Sequence, residues 1–166
     1  MNSKQTAAPE QVKVGIADYK ITQAPHSLIT IGLGSCVGIA LYDTYNKIGG
    51  LVHIMLPDSQ AFKDTSKWVK FADLAIPKVA EELSKGTNAK LVAKIAGGAS
   101  MFQFNTNTKG LQIGERNIEA VKQTLGELKI PLLGEHTGGN MGRTMMVDLD
   151  TFDVTVRMVN RELHQI

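Results

Sequence analysis

Residues 36–56 contain two apolar segments of similar length on either side of a short polar turn. The segments are Cys36–Asp43 and Ile48–Leu56, and the turn between them is Thr44-Tyr45-Asn46-Lys47. Apolar, strand-forming runs separated by a few polar residues are typical of a β-hairpin. We therefore predict two antiparallel strands joined by a four-residue loop.

The length of this loop decides which side chains share a face of the hairpin. A four-residue loop pairs Asp43 with Ile48 and places Gly38 opposite His53, whereas a three-residue loop would put Cys36 and His53 on opposite faces. The four-residue register collects bulky apolar side chains on one face, which we expect to pack on the main core: Val37, Ile39, Leu41, Ile48, Val52, Ile54 and Leu56. The other face carries the small residues, the thiol and the imidazole: Cys36, Gly38, Ala40, Gly49, Leu51, His53 and Met55.

The rest of the chain predicts further strands and two helices. Extended segments are expected at Val12–Thr22, Ser27–Gly32, Lys90–Ala96, Arg143–Asp148 and Phe152–Val159. Helical spacing of apolar residues predicts helices at Ser66–Lys85, with a kink or break at Pro77, and at Arg116–Leu128. These elements predict an α+β fold, a layered α/β sandwich of two main helices on a mixed or largely antiparallel sheet.

The length and composition favour one globular domain. The chain has 166 residues, of which 43% are hydrophobic and 20% charged, with a formal net charge of +2. Residues 1–10 are polar, so we expect a disordered tail there and a single domain over residues 11–166. The scattered basic residues argue against nucleic-acid binding. The N-terminal segment lacks an apolar signal and no window is apolar enough to span a bilayer, so a cytoplasmic location without membrane insertion is expected.

Cys36 is the only cysteine, which excludes an internal disulfide and a multi-cysteine metal site. It is then either a small core residue or a nucleophile. Gly32, Gly34 and Gly38 allow a tight turn and the close approach of another chain, which favours the nucleophile. In the four-residue register His53 is a diagonal neighbour of Cys36 at about 7–8 Å, and Gly38 leaves room for its ring to move.

A Cys36–His53 pair predicts acyl-transfer chemistry. An imidazolium lowers the thiol pKa so that a thiolate is present near neutral pH, and the thiolate attacks an acyl group to form a thioester that water hydrolyses. Backbone N–H groups of the Gly34-Ser35-Cys36 turn are the expected oxyanion donors. The hydroxyl of Thr30 is a candidate for orienting the imidazole from an adjacent strand. This chemistry needs no cofactor and no metal.

Other motifs leave alternatives open. The Gly97-Gly98 turn either lines the site or is an ordinary turn, and Met101-Phe102 is either an exposed docking patch or buried core. Three further histidines, His26, His136 and His164, lack the spacing of metal ligands and are expected on the surface or in loops.

Five segments together resemble a known family. They are Gly32-Leu33-Gly34-Ser35-Cys36-Val37, Gly49-Gly50-Leu51-Val52-His53-Ile54-Met55-Leu56-Pro57, Lys94-Ile95-Ala96-Gly97-Gly98-Ala99-Ser100-Met101-Phe102, Ile113-Gly114-Glu115-Arg116-Asn117 and Gly138-Gly139-Asn140-Met141-Gly142-Arg143. In sequence and order they resemble the chemoreceptor glutamine deamidase family, CheD, over about residues 14–159. Because the five segments occur in order, the resemblance is far more specific than any one of them.

The resemblance implies a cytoplasmic hydrolase of bacterial chemotaxis that converts glutamine side chains of methyl-accepting chemotaxis receptors to glutamate, with release of ammonia. It implies Cys36 as the nucleophile, His53 as the base and Thr30 as the orienting residue. It also implies a fold similar to the catalytic domain of cytotoxic necrotizing factor toxins, and the chemotaxis phosphatase CheC as a partner. The expected contacts with a receptor or partner are Gly97, Gly98, Met101 and Phe102.

Two other functions stay open on the sequence alone. The chain could act mainly by binding receptors or a phosphatase, as a regulator without turnover. It could also be another Cys–His acyl hydrolase, such as a receptor methylesterase, which would release methanol rather than ammonia.

Overall fold

The computed structural model describes residues 8–85, 87, 89–100 and 112–166. Within these residues the chain forms ten β-strands and two α-helices, which are α1 (Ala72–Ser84) and α2 (Ile113–Glu127). The strands are β1 (Gln11–Val14), β2 (Tyr19–Gln23), β3 (Ser27–Leu33), β4 (Val37–Asp43), β5 (Ile48–Ile54), β6 (Leu91–Gly97), β7 (Leu132–Thr137), β8 (Arg143–Asp148), β9 (Val154–Met158) and β10 (Leu163–Gln165).

The strands form two five-stranded sheets that lie face to face. The central sheet has the order β2-β5-β4-β6-β7, and the outer sheet has the order β1-β3-β8-β9-β10. Both sheets are mixed, because β6 pairs with β7 in parallel and β1 pairs with β3 in parallel. Helices α1 and α2 cover one face of the central sheet, and the outer sheet covers the other. The predicted α+β sandwich is therefore confirmed, with two sheets beneath the helices.

The β4–β5 hairpin has the predicted register. Asp43 pairs with Ile48, and Gly38 pairs with His53, across a four-residue turn. The carboxylate of Asp43 closes this turn by accepting two of its backbone N–H groups, at 3.0 and 3.1 Å. The bulky face packs beneath the helices, as predicted from the apolar alternation. Its buried members are Val37, Ile39, Leu41, Val52 and Ile54.

The opposite face of the hairpin packs against the outer sheet, and Gly38 allows the two sheets to approach each other. A β-carbon built on Gly38 would lie 2.9 Å from Met145 Sδ and 3.3 Å from both Leu33 Cδ1 and Thr30 Cγ2. The expectation that Gly38 leaves room for the His53 ring to move is therefore wrong, because side chains of the outer sheet fill that space. Glycine is needed here for packing.

The predicted single strand Val12–Thr22 is wrong, because this segment forms two strands in different sheets. β1 pairs with β3 in the outer sheet, whereas β2 pairs with β5 in the central sheet. Between them the Asp18 carboxylate accepts the N–H groups of Gly15 and Tyr19, at 3.4 and 2.8 Å, and Ala17 adopts a left-handed φ of 54°. This turn carries the chain from one sheet to the other.

Helix α1 is shorter than predicted. It begins at Ala72 rather than Ser66, because Phe71 is extended and Trp68–Lys70 form a separate 3₁₀ turn. The helix continues through Pro77 as one element, so the predicted division is absent. Pro77 removes only its own N–H from the helix, and the buried apolar face of α1 holds the surrounding turns on the central sheet.

Two strands have no counterpart in the sequence-based prediction. β7 follows α2 and pairs in parallel with β6, so β6, α2 and β7 form a crossover unit. Its weak alternation, its Gly134 and the preceding Pro131 conceal its strand character. β10 has only three residues, which is too short to give a periodic signal.

The predicted tail, residues 1–10, lies mostly outside the described residues, which begin at Ala8. The carbonyl of Glu10 accepts a hydrogen bond from the N–H of Ser27 at 3.0 Å, so the chain is joined to the outer sheet from that point. Across the described ranges, neither helix has the length and apolar character that crossing a membrane requires.

We predict that replacing Gly38 with valine destabilises the fold. The added carbons would collide with Met145, Leu33 and Thr30, and overpacking of this kind lowers the free energy of unfolding by about 1–3 kcal/mol. Urea denaturation followed by circular dichroism measures the change.

Gly126→Ala is the matched control. Gly126 is exposed within α2, and a β-carbon there would meet no atom within 4 Å. Alanine should therefore raise the free energy of unfolding by about 0.5–1 kcal/mol, because glycine loses more conformational freedom than alanine when it is fixed in a helix. Equal stability of Gly38→Val and the wild type would contradict the packing role given to Gly38.

Candidate active site

Thr30 and His53 meet where the two sheets face each other. Thr30 lies on β3 of the outer sheet and His53 on β5 of the central sheet, and both side chains are fully buried. The Thr30 Oγ1 atom lies 2.7 Å from His53 Nδ1. Thr30 thus reaches the imidazole from the facing sheet, rather than from an adjacent strand as expected.

The hydrogen bonds of Thr30 fix the tautomer of His53. A threonine hydroxyl has one proton to donate, and Thr30 donates it to the carbonyl of Val14 at 2.9 Å. Thr30 Oγ1 must therefore accept a hydrogen bond from His53 Nδ1–H. In the neutral ring this leaves the lone pair on Nε2. That atom is buried and has no hydrogen-bond partner among the described residues.

The backbone on both sides of His53 is also held in place. His53 N–H donates to the carbonyl of Asp18 at 3.1 Å, and the carbonyl of His53 accepts the N–H of Ala17 at 3.0 Å. The turn between β1 and β2 therefore supports the end of β5, while β1 supplies the Val14 carbonyl. A segment predicted as one plain strand thus holds the imidazole from two directions.

Burial determines the charge of the two reactive groups. It lowers the pKa of His53 from 6.5 to about 4, because a buried imidazolium loses its hydration. It raises the pKa of the Cys36 thiol from its ordinary value of 9.0, because the thiolate is desolvated in the same way. The site therefore favours a neutral thiol and a neutral imidazole, and the thiol pKa is not lowered by an imidazolium as the sequence predicted.

Cys36 lies in the short connection between β3 and β4 and is half-buried. The connection is fixed by the segment that directly follows β6: Gly98 N–H donates to the carbonyl of Cys36 and Ala99 N–H donates to that of Gly34, both at 2.8 Å. Pairing of Gly38 with His53 makes Cys36 the diagonal neighbour of His53 across the hairpin. The backbone that carries the thiol is thus held in place by hydrogen bonds to the carbonyls of Gly34 and Cys36.

Two N–H groups of this connection are available as oxyanion donors. Ser35 N–H and Cys36 N–H donate to no other residue within the described ranges. Gly34 N–H is already bonded to the carbonyl of Gly32 at 3.1 Å. Of the three residues in the turn predicted to supply oxyanion donors, Ser35 and Cys36 thus have N–H groups that no described residue accepts, whereas the Gly34 N–H is occupied.

Gly97 and Gly98 are buried beneath the Cys36 connection. A β-carbon on Gly97 would collide with the carbonyl of Cys36, and one on Gly98 would collide with Ile118 of α2. The structure thus places both glycines within the packing of the site instead of on its surface. The other two predicted contacts, Met101 and Phe102, lie outside the described residues.

Asn117 and Arg143 belong to the surroundings of the site, although sequence reasoning gave neither a role. Asn117 is buried on α2 and donates to carbonyls next to Cys36 and His53. Arg143 is buried and donates to the carbonyls of His136, Gly138 and Met141, which shapes the turn after β7. The sequence did point to both residues indirectly, since each lies in one of the five segments that resemble the CheD family.

The remaining histidines form no metal site in the described part of the chain. The rings of His136 and His164 are tilted by 32° with centroids 4.4 Å apart, and His136 Nδ1 lies 2.9 Å from Arg143 Nη1. No group of three potential ligands among His, Cys, Asp and Glu comes together in the ranges that the structure describes.

Comparison with known proteins gives a consistent assignment. A family model described as "CheD chemotactic sensory transduction" matches residues 55–158. Proteins named "Probable chemoreceptor glutamine deamidase CheD" match nearly the whole chain. The protein from Moorella thermoacetica is 56% identical over 95% of this chain and 96% of its own. Those from Clostridium novyi and Clostridium kluyveri are 50% and 52% identical, each over 95% of this chain and 98% of their own.

The fold and the site define an α+β protein with one half-buried cysteine beside a buried threonine–histidine pair. More than half of the chain matches the family model, and several relatives of the same name share about half of their residues with it over almost its full length. The chain belongs to the CheD family.

We predict that alkylation of Cys36 shows a thiol that is neutral at rest and has a raised pKa. The rate constant for reaction with iodoacetamide should rise steadily from pH 6 through pH 9, because only the thiolate reacts and its fraction grows with pH. Since Cys36 is the only cysteine, mass spectrometry of the intact protein measures the rate without interference.

Cys36→Ala is the control, and it should take up no label. A rate constant that is already at a plateau between pH 5 and pH 8 would contradict the neutral pair, because it would show a preformed thiolate.

Proposed function

We propose that this protein is a cysteine-dependent glutamine deamidase that acts on methyl-accepting chemotaxis receptors. The observation that carries the proposal is the Thr30–His53 hydrogen bond, which leaves the Nε2 lone pair of a neutral imidazole free beside the strand that follows Cys36. The names of the relatives supply the substrate: they describe chemoreceptor glutamine deamidases.

In the first step, His53 Nε2 takes the thiol proton of Cys36 while the sulfur attacks the carboxamide carbon of a glutamine. A carbon–sulfur bond forms and the carbonyl oxygen becomes an oxyanion. The N–H groups of Cys36 and Ser35 stabilise that oxygen. Because burial disfavours both charged partners, proton transfer accompanies the attack and does not precede it.

In the second step the oxyanion collapses and the carbon–nitrogen bond breaks. His53 returns the proton to the departing nitrogen, which leaves as ammonia, and a thioester with Cys36 remains. Water then attacks the thioester carbon and gives one proton to His53 Nε2. The carbon–sulfur bond breaks, the thiol regains that proton, and glutamate is released. The net reaction consumes one water and exchanges an amide for a carboxylate.

Thr30 keeps the imidazole in the orientation that both steps require. Its hydroxyl accepts from Nδ1–H and is itself committed to the Val14 carbonyl, so the ring keeps its orientation while Nε2 gains and loses a proton. When Nε2 is protonated, the positive ring still donates to Thr30 through Nδ1. The hydroxyl thus plays the part that a carboxylate plays in other triads, without adding a buried charge.

A receptor helix is expected to approach Cys36 across the part of the outer sheet that carries Ile31 and Val159. Ile31 of β3 is 47% exposed and Val159, which follows β9, is 69% exposed. Val159 N–H donates to Gly142, and Gly142 also lies against the Leu33 carbonyl. These apolar side chains support docking of an amphipathic helix. The phosphatase CheC, a partner suggested by the family resemblance, would compete for the same side.

We predict that the protein converts glutamines of a receptor cytoplasmic fragment to glutamate only when Cys36 and His53 are present. Wild type should release ammonia and give the mass increase of an amide replaced by a carboxylate at specific glutamines. Cys36→Ala and His53→Ala should give neither, because one removes the nucleophile and the other the base. Peptide mass spectrometry and an enzymatic ammonia assay measure the two products.

Receptor binding by each variant is the control, since neither substitution changes the exposed Ile31 and Val159 side chains proposed for docking. Deamidation by Cys36→Ala would overturn the cysteine mechanism. Methanol release from a methylated fragment without ammonia would favour a methylesterase. Binding by the wild type without either product would favour a regulator that acts by docking alone.

A further inference from the structure

Asn117 connects the two segments that carry the reactive residues. Its side chain is fully buried, and its Nδ2 group donates to the carbonyl of Ser35 at 2.9 Å and to that of Met55 at 3.0 Å. Ser35 directly precedes Cys36, and Met55 follows His53 by two residues. One amide group from α2 therefore joins the end of the β3–β4 connection to the end of β5.

The orientation of the Asn117 amide follows from its partners. Both atoms facing Nδ2 are carbonyl oxygens, which accept but do not donate, so the nitrogen and not the oxygen must face them. The Oδ1 atom then lies buried with no partner in the described part of the chain. A buried acceptor without a partner is unfavourable, and a purely space-filling residue would avoid it.

The bond to Ser35 sets the direction of the Cys36 N–H. The Ser35 carbonyl and the Cys36 N–H belong to one trans peptide unit, in which the two groups point in opposite directions. Because Asn117 holds the carbonyl toward α2, the N–H points away from α2. This N–H belongs to Cys36 itself, so an oxyanion formed by attack of the Cys36 sulfur would lie within its reach.

The neighbouring carbonyls are held in a different way. Gly98 N–H holds the carbonyl of Cys36 and Ala99 N–H holds that of Gly34, so backbone groups fix both flanking peptide units. Within the described residues, the Ser35 carbonyl is held by a side chain alone. Removal of this side chain would free the peptide unit that carries the Cys36 N–H, one of the two candidate oxyanion donors.

We propose that Asn117 is a positioning residue that holds the Ser35–Cys36 peptide so that its N–H stabilises the oxyanion. The inference rests on the proposed deamidase function. Asn117 touches neither the nucleophile nor the substrate, and it acts through the backbone. Its loss should therefore slow the chemical step and leave the reactivity of the thiol itself in place.

The test compares Asn117→Leu, Asn117→Ser and wild type in deamidation of a receptor cytoplasmic fragment and in alkylation of Cys36 by iodoacetamide. Leucine has a similar size and no donor, and kcat should fall by about 10²–10³-fold, the loss typical of one oxyanion donor. KM and the alkylation rate should change little, because alkylation forms no oxyanion. Serine keeps one donor and should retain more kcat than leucine.

Thr124→Val is the matched control. Thr124 is buried on the same helix, but its hydroxyl bonds to the carbonyl of Ala120 within α2, at 2.8 Å. This variant should keep the wild-type kcat, which separates loss of a buried polar group on α2 from loss of the Asn117 contact. If Asn117→Leu fails to fold, Asn117→Ser decides the outcome by the same comparison.

Two results would overturn the inference: wild-type kcat in both Asn117 variants, or alkylation rates that fall in parallel with kcat. The second would show that Asn117 places the thiol or supports the fold in general. Absence of ammonia release by the wild type would instead refute the proposed deamidase function, and with it the role of Asn117, before any variant is compared.

Discussion

The β4–β5 hairpin is the element on which both hydrophobic cores and the candidate site depend. Its register sends the bulky side chains toward the helices and the small ones toward the outer sheet. A shift of one residue would exchange the two faces, place large side chains between the sheets and move His53 away from Thr30. Gly38 allows the sheets to come close enough for the Thr30–His53 hydrogen bond to form. Core packing and the Thr30–His53 contact therefore require the same register of this hairpin.

Burial of the imidazole explains the chemistry proposed for the site. A charged histidine between two sheets would be costly, and burial accordingly lowers the pKa of His53 to about 4. A neutral hydroxyl, Thr30, therefore suits this position better than a carboxylate, which would itself need a buried counter-charge. In the proposed reaction the resting pair is uncharged, and the positive ring forms only as the oxyanion forms. Backbone donors around Cys36 would then stabilise the negative charge, so the proposed chemistry depends on their orientation.

The hairpin register could be predicted from the sequence because the parity of its apolar residues admits one pairing of Asp43 with Ile48. The family resemblance pointed to Thr30. The sequence did not show that Thr30 reaches His53 from a facing sheet, because that depends on how two sheets stack. The turn at Asp18 is held by local hydrogen bonds that have no strong sequence signature. The division of this segment into β1 and β2 was therefore not predicted. Asn117 acts on carbonyls 62 and 82 residues away, which no local pattern reveals.

The protonation state of His53 tests the central claim most directly. Long-range nitrogen–proton correlation spectra of protein labelled with ¹⁵N-histidine, with the His53 signal assigned by its loss in a His53→Gln variant, report each ring nitrogen separately. At pH 7 we expect a protonated Nδ1 and an unprotonated Nε2, with no positive charge on the ring. A ring protonated at both nitrogens, or a neutral ring that carries its proton on Nε2, would contradict the hydrogen-bond chain from Val14 through Thr30 to His53.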